Sequence, residues 1–258
     1  MRAGLDAVLL DIDDTLVDTR GAFTAGMRAV ANRYLAHLGP AGPGAALEHW
    51  VRDPGGYFPA FTSGRLGFVE QRRLRATAMH RDLGGPDLDD DTFTAWNLTY
   101  EQAFREAWVA VTDAVDLLER LVRCALPFGA VTNTQVDYQR DKLERTGLCA
   151  LPILVGTDTL GVGKPDPRVF RHACTLLGVD PARTVYVGND LAVDAQAAAA
   201  AGLLAVWFDR GHELALVAPT RLPVVRSLAE LARWLGLPAS PRTPPVARLG
   251  QLRIAGDA

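Results

Sequence analysis

The chain has 258 residues, 48% of them hydrophobic, enough for one large domain or two modest ones with a sizeable core. Its 27 basic and 30 acidic residues leave a formal charge of -3, without the cationic excess of a nucleic-acid-binding surface. No uninterrupted apolar segment has membrane-spanning length, the first apolar run is too brief for a signal peptide, and Cys124, Cys149 and Cys174 form no Cys-x-x-Cys pair. A soluble cytoplasmic protein with buried, reduced thiols is expected.

The first predicted element is a buried strand at residues 7–10, Ala-Val-Leu-Leu. Residues 18–110 then show no convincing strand. Helical spacing joins Phe23, Met27, Val30 and Tyr34, and later Phe93, Trp96, Tyr100, Phe104 and Trp108, around loops at 39–44 and 53–56. This stretch reads as an all-helical insertion. From residue 111 helix and strand alternate: helices at 113–124 and 138–145, one opened by Asp166 and Pro167 and closed by Gly178, and one at 191–201 stopped by Gly202. Between them lie apolar strands at 127–132, 153–155, 184–187 and 203–208. Continuous apolar strands alternating with helices imply a parallel sheet covered on both faces, with its ligand beyond the carboxyl ends of the strands. The expected organisation is a core of residues 1–17 and 111–237, a helical segment at 18–110, and a flexible tail at 238–258 rich in Pro, Arg and Ala.

Asp11-Ile12-Asp13-Asp14-Thr15 follows the first strand directly. Carboxylates at i and i+2 of an extended chain point the same way, which sets Asp11 and Asp13 in one small space. Their repulsion is relieved by a cation between them or by one carboxyl keeping its proton. An Asp-rich turn that merely bends the chain and caps the next helix is the plain alternative. Further polar groups fall at other strand ends. Thr132 offers a hydroxyl, with nearby backbone N–H groups, to a phosphoryl oxygen. Lys164, kept from helical geometry by Pro165, offers an ammonium to the reaction centre. Asp190 and Asp194 form an i,i+4 pair after the fourth strand, a placement that also suits a helix start.

In residues 11–15, Thr132, Lys164 and 188–194 the chain resembles the haloacid dehalogenase superfamily, and the resemblance extends to about residue 237. It implies an α/β fold: a Rossmann-like parallel sheet core with an α-helical cap domain inserted after the first strand, one Mg2+ and an aspartyl-phosphate intermediate. Asp14 stands where many relatives carry Gly, and Gly188-Asn189-Asp190 replaces the frequent Gly-Asp-x. On this basis Asp11 is the expected nucleophile and Asp13 the acid that protonates the leaving oxygen, then the base that activates water. Asp11, the backbone carbonyl of Asp13, and Asp190 are expected to hold Mg2+ with Asp194 in support, Asp190 being preferred to Asn189 because only it supplies charge. Thr15, Thr132, Asn133 and Lys164 are the expected phosphate-binding residues.

The expected activity is Mg2+-dependent hydrolysis of a small phosphorylated metabolite by a monomer or homodimer, with no nucleic-acid or membrane partner. A phosphomutase, a 2-haloacid dehalogenase and a non-catalytic binding or regulatory protein are the alternatives. Specificity is expected in the cap, where Arg72 and Arg75 share a helical face with Phe68 and Met79. In one reading their stems cover the cap's core while the guanidinium groups reach solvent. In the other, Arg65, Arg72 or Arg75 contacts an anionic part of the leaving group.

Overall fold

The computed structural model describes residues 4–149, 151–211 and 220–239, so residues 240–258 of the expected tail lie outside the described residues. Six short strands, β1 (Ala7–Leu10), β2 (Phe128–Val131), β3 (Leu154–Val155), β4 (Thr184–Gly188), β5 (Leu204–Phe208) and β6 (Val224–Val225), form one sheet in the order β3-β2-β1-β4-β5-β6. Every pairing is parallel, with Leu9 opposite Gly129 on one side and Tyr186 on the other. β1 is thus the point from which the strand order runs outward both ways, and its carboxyl end is where such a sheet opens a crevice.

The period of two along each strand divides the side chains between two cores. Val8, Leu10, Val185 and Val187 join the larger core, which continues into the cap. Leu9 and Tyr186 face the other, with Val169, Phe170 and Ala173. All these side chains are essentially inaccessible to solvent, which is why the strands read as unbroken apolar runs.

Between β1 and β2 the chain builds α1 (Thr19–Tyr34), α2 (Gly42–Arg52), α3 (Tyr57–Thr62), α4 (Phe68–Leu83) and α5 (Asp90–Glu106). No strand interrupts these helices among the described residues. The i,i+3 and i,i+4 spacing of Phe93, Trp96, Tyr100 and Phe104 stacks their rings along α5 at 5.2–6.2 Å, and Trp108 meets Phe104 edge-on. The segments entering and leaving the cap lie side by side: Asp18 N donates to Val109 O at 2.9 Å and Val111 N to Leu16 O at 2.8 Å. At the far side, Gly163 N donates to Thr62 O at 2.7 Å. Gly64 has φ +77°, and a Cβ there would lie 2.4 Å from Gly161 O, so the cap loop seats on the Lys164 loop only with glycine at this position.

After the cap come α6 (Ala114–Arg123), α7 (Val136–Arg145), α8 (Thr157–Leu160), α9 (Pro167–Leu177), α10 (Ala197–Ala200) and α11 (Leu228–Trp234). Three features differ from expectation. The expected helix at 191–201 is a π-helical turn at Leu191–Gln196 followed by α10. β6, α8 and α11 were not anticipated, because a two-residue strand and helices of four and seven residues carry little periodicity. Of the thiols only Cys174 is buried; Cys124 is half-buried and Cys149 exposed. No helix among the described residues is long and apolar enough to cross a membrane.

Candidate active site

The strand ends at Leu10, and the next residues leave extended geometry. Ile12 O accepts from Thr15, Leu16 and Val17 in one tight turn. Asp14 sits at φ +60°, which explains why glycine suits this position; here its Oδ1 accepts from Thr19 N (2.9 Å) and Arg20 N (2.7 Å) at the start of α1. The turn separates the two carboxylates that strand alternation alone would place together. Each meets its own ammonium group.

Asp11 faces the Lys164 side. Lys164 Nζ donates to Asp11 Oδ1 at 2.5 Å, to Asp194 Oδ1 at 2.7 Å and to the Tyr186 hydroxyl at 3.0 Å. Tyr186 donates to Asp194 Oδ1 at 2.9 Å, and Asp190 N donates to Asp194 Oδ2 at 3.0 Å. The π-helical turn lowers Asp194 into this position. Gly188 makes the room, since a Cβ there would lie 2.4 Å from Asp194 Cγ. One ammonium thus serves two carboxylates, and Asp11 is under-compensated. Burial pushes its carboxyl up to about 7 against the pull of Lys164, with Asp194 and Asp13 adding to the rise. Burial acts to lower Lys164, but Asp11 and Asp194 hold it above the ordinary lysine value, so the ammonium stays charged. Burial, reinforced by Asp194, raises Tyr186 well above the usual phenol range and keeps it protonated.

Asp13 faces α7. Its Oδ1 accepts from Thr19 Oγ1 at 2.6 Å and Lys142 Nζ at 2.5 Å, and its Oδ2 from Gln139 Nε2 at 2.6 Å. Burial raises its carboxyl, but Lys142 and these three hydrogen bonds outweigh it, and Asp13 sits below the ordinary value. Gln139 Nε2 also donates to Thr132 Oγ1 at 2.8 Å, which leaves the threonine its own proton to donate.

Several expected residues have other partners. Thr15 is fully buried and donates to Asp11 Oδ2 at 3.1 Å, so its hydroxyl orients the carboxylate rather than meeting a phosphate. The Asn133 side chain grips the Lys164 backbone at both N (2.6 Å) and O (2.9 Å). Asp190 is turned outward: it is exposed, and its Oδ1 caps the next helix by accepting from Ala192 N and Val193 N. The expectation that Asp190 stands beside the metal is corrected by this orientation, and among the described residues no three acidic, His or Cys side chains converge.

Asn189 takes that place. The amide atom facing inward lies 3.0 Å from the Asp13 carbonyl oxygen and 3.2 Å from Asp11 Oδ2. With Nδ2 inward the amide donates to both; turned by 180°, its Oδ1 completes a set of three oxygens. Neighbouring ligands of an octahedral Mg2+ with bonds of about 2.1 Å lie about 3 Å apart, and both separations from Asn189 match that spacing. A cleft of about 260 Å³ opens beside Asn189, lined also by Asp14, Arg20, Thr24 and Arg210.

The cap arginines divide. Arg65 is exposed and donates to Ser63 Oγ at 3.0 Å. Arg72 is buried, bonded to Glu101 and to Asn97 Oδ1, with its guanidinium carbon 4.9 Å from the Phe68 ring centre. Arg75 stacks on Trp50 at 3.9 Å, donates to Trp50 O and lies 3.8 Å from Asp53. The Arg72 guanidinium is held by Glu101 and Asn97, and that of Arg75 is packed against Trp50 with the Asp53 carboxylate 3.8 Å from its Nε, so neither is directed to open solvent. Thr19, Gln139, Lys142 and Tyr186 were not anticipated as site side chains, and Asn189 was weighed but passed over for Asp190. A signal existed on α7, where Gln139 and Lys142 share the buried face of Leu143.

These positions set a buried carboxylate, Asp11, at the carboxyl end of the central strand of a parallel α/β sheet. The model of the haloacid dehalogenase-like hydrolases matches residues 5–202, and the chain belongs to that family. It is 37% identical over 114 residues to the phosphoserine phosphatase of Thermus thermophilus, covering 43% of this chain and 46% of that protein, so the match spans about half the relative's length. It is 34% identical over 200 residues to a phosphoglycolate phosphatase (plasmid) of Cupriavidus necator, covering 76% and 78%. The fold is shared with the magnesium-bound HAD-hydrolase YfnB of Bacillus subtilis, at TM-score 0.74 and 21% identity over 90% of this chain and 99% of that one.

Proposed function

We propose that this protein is a Mg2+-dependent phosphomonoesterase that hydrolyses a small phosphorylated metabolite through an aspartyl phosphate on Asp11. The observation that carries this reading is the separate housing of the two front carboxylates. Asp11 is set against Lys164, and Asp13 sits in a cradle of its own, joined through Gln139 to Thr132. A haloacid dehalogenase releases halide without a proton and has no use for that second carboxylate. The named activities of the relatives support the same choice.

In the first half-reaction Asp11 attacks phosphorus in line, its oxygen–phosphorus bond forming as the bond to the leaving oxygen breaks. Asp13, an ionised carboxylate in the free protein, takes up the proton of the substrate's phosphate monoanion and delivers it to that oxygen. In the second, Asp13 takes a proton from water as the water attacks phosphorus, and Asp11 leaves as a free carboxylate. Lys164 and the Thr132 hydroxyl offset charge on the phosphoryl oxygens. Asp11, the Asp13 carbonyl and Asn189 would hold Mg2+, which would supply Lewis-acid stabilisation of the same charge. The paired linkers at 16–18 and 109–111 support a cap spanning 18–110.

A panel of phosphorylated metabolites and an aryl phosphate, assayed with Mg2+ and with chelator, tests this. Hydrolysis that stops in chelator and in Asp11→Asn is expected. Undiminished turnover in chelator removes the metal, near-normal turnover by Asp11→Asn removes the covalent route, and inertness of the wild type toward every phosphate removes the function.

A further inference from the structure

Lys142 is 2% exposed as a side chain, yet it carries a charge into the junction of cap and core. Its Nζ lies 5.7 Å from the ring centre of Phe104, 5.4 Å from Trp108 and 5.8 Å from Tyr138, and reaches Asp13 Oδ1. Burying a lysine costs several kcal/mol unless it is paired. Its ion-pair partner is the one carboxylate to which the reaction assigns proton transfer. One turn back, Gln139 is fully buried, and its Nε2 spans from Asp13 Oδ2 to Thr132 Oγ1. With Thr19 on the remaining side, the Asp13 carboxylate is gripped by three donors from two helices. It is also tied by two hydrogen bonds to the hydroxyl expected to meet the phosphoryl group. Packing alone would be served by leucine or methionine at 139 and 142, without burying a charge and an amide whose Oε1 finds no partner among the described residues.

We propose that Lys142 and Gln139 are positioning residues that aim the Asp13 carboxylate at the leaving-group oxygen. The seat of Lys142 is shared with the cap, since Phe104 belongs to α5 and Trp108 to the segment that follows it. Asp13 is therefore held in line only while the cap's last helix is in place. The role rests on the phosphomonoesterase reading above and adds residues outside the motifs that led to it.

The test separates substrates by their need for a proton. An alkyl phosphomonoester expels a strongly basic alkoxide and depends on Asp13, whereas p-nitrophenyl phosphate expels a stable phenolate. kcat/KM reports the steps through leaving-group departure, so the later hydrolysis of the aspartyl phosphate does not obscure the comparison. Lys142→Met should lose about tenfold or more in kcat/KM on the alkyl ester, a part of the 10²–10⁴ that acid–base catalysis supplies, and less than about threefold on the aryl ester. Lys142→Arg should recover part of the loss. Gln139→Leu, which strands no charge, should show the same selective pattern and serves if Lys142→Met does not fold. Equal losses on both esters, or none on either, in variants that melt as cooperatively as the wild type would overturn the positioning role alone. A wild type inert toward both esters would overturn it together with the function.

Discussion

The Lys164 ammonium lies 2.5 Å from Asp11 Oδ1 in a site where both side chains are at most 5% exposed, and it is shared with Asp194 at 2.7 Å. Removing it leaves two buried carboxylates without a cation. Lys164→Met should therefore abolish activity and cost about 3 kcal/mol of stability, the low end for breaking a buried pair because Asp11 takes up a proton readily. Adding Asp11→Asn should return part of that loss. Denaturant unfolding measures both, and an unchanged midpoint in Lys164→Met would refute the shared-cation account.

The raised Asp11 carboxyl predicts a pH dependence. With its value near 7 in the folded protein and 3.8 as the ordinary reference, the folded state holds a proton between about pH 4 and 7 that the unfolded chain has lost. Stability from this group is therefore greatest at low pH and falls as pH rises through that window, by at most about 1.4 kcal/mol per pH unit. Asp13, whose carboxyl is lowered, works the other way: its contribution is present above about pH 4 and is lost as pH falls. In chelator, Asp11→Asn should gain on the wild type as pH is raised from 4.5 to 7. A constant difference between the two unfolding curves would show that Asp11 is not raised.

Asn189 and Asp190 make opposite predictions for metal binding. Asn189→Asp places a second charge on the oxygen triangle, beside that of Asp11, and should tighten Mg2+ binding by about tenfold or more in calorimetric titration. Asp190→Ala should leave Mg2+ affinity within about twofold and cost about 1 kcal/mol through its lost helix cap. Loss of Mg2+ binding in Asp190→Ala would return the ligand role to Asp190.

Arg72 is bonded to Glu101, which also accepts from Tyr138 and from Arg105, itself paired with Asp141 on α7. This network ties cap to core. Arg72→Met should lower stability by about 2 kcal/mol through the lost charge-assisted bonds to Glu101 and Asn97, while KM for a small aryl phosphate changes less than about threefold. A selective rise in KM for an anionic natural substrate, with stability intact, would instead place Arg72 in substrate recognition.

Five of the six strands, the cap's helical character and the strand-end positions of Asp11 and Thr132 were legible in the sequence because each rests on a local signal, whereas Lys164 lies beyond α8 and not directly at a strand end. Four apolar residues bounded by polar ones make a buried strand, and a period of 3.6 through aromatics makes a buried helix face. Residues at the carboxyl ends of parallel strands must then meet. What local signals could not supply was the direction of individual side chains once the chain leaves regular structure. The turn at 12–17 sends Asp13 away from Asp11 to a lysine 129 residues along the chain. The π-helical turn lowers Asp194 and turns Asp190 outward, which gives the inner place to Asn189. Tyr186 looked like one more apolar strand residue, and the helix read through 138–145 did not by itself say what the buried Gln139 and Lys142 would meet. Arg72 and Arg75 were placed on an apolar face by periodicity, but the acids that hold them come from other elements, α5 and the loop after α2. The sequence by itself determined which segments are buried and which polar groups gather at the end of the sheet, since burial and periodicity are written within a few residues. Only the tertiary structure decided which polar group faces which, because a charge enters a low-dielectric interior only where a partner from a distant part of the chain is brought to meet it.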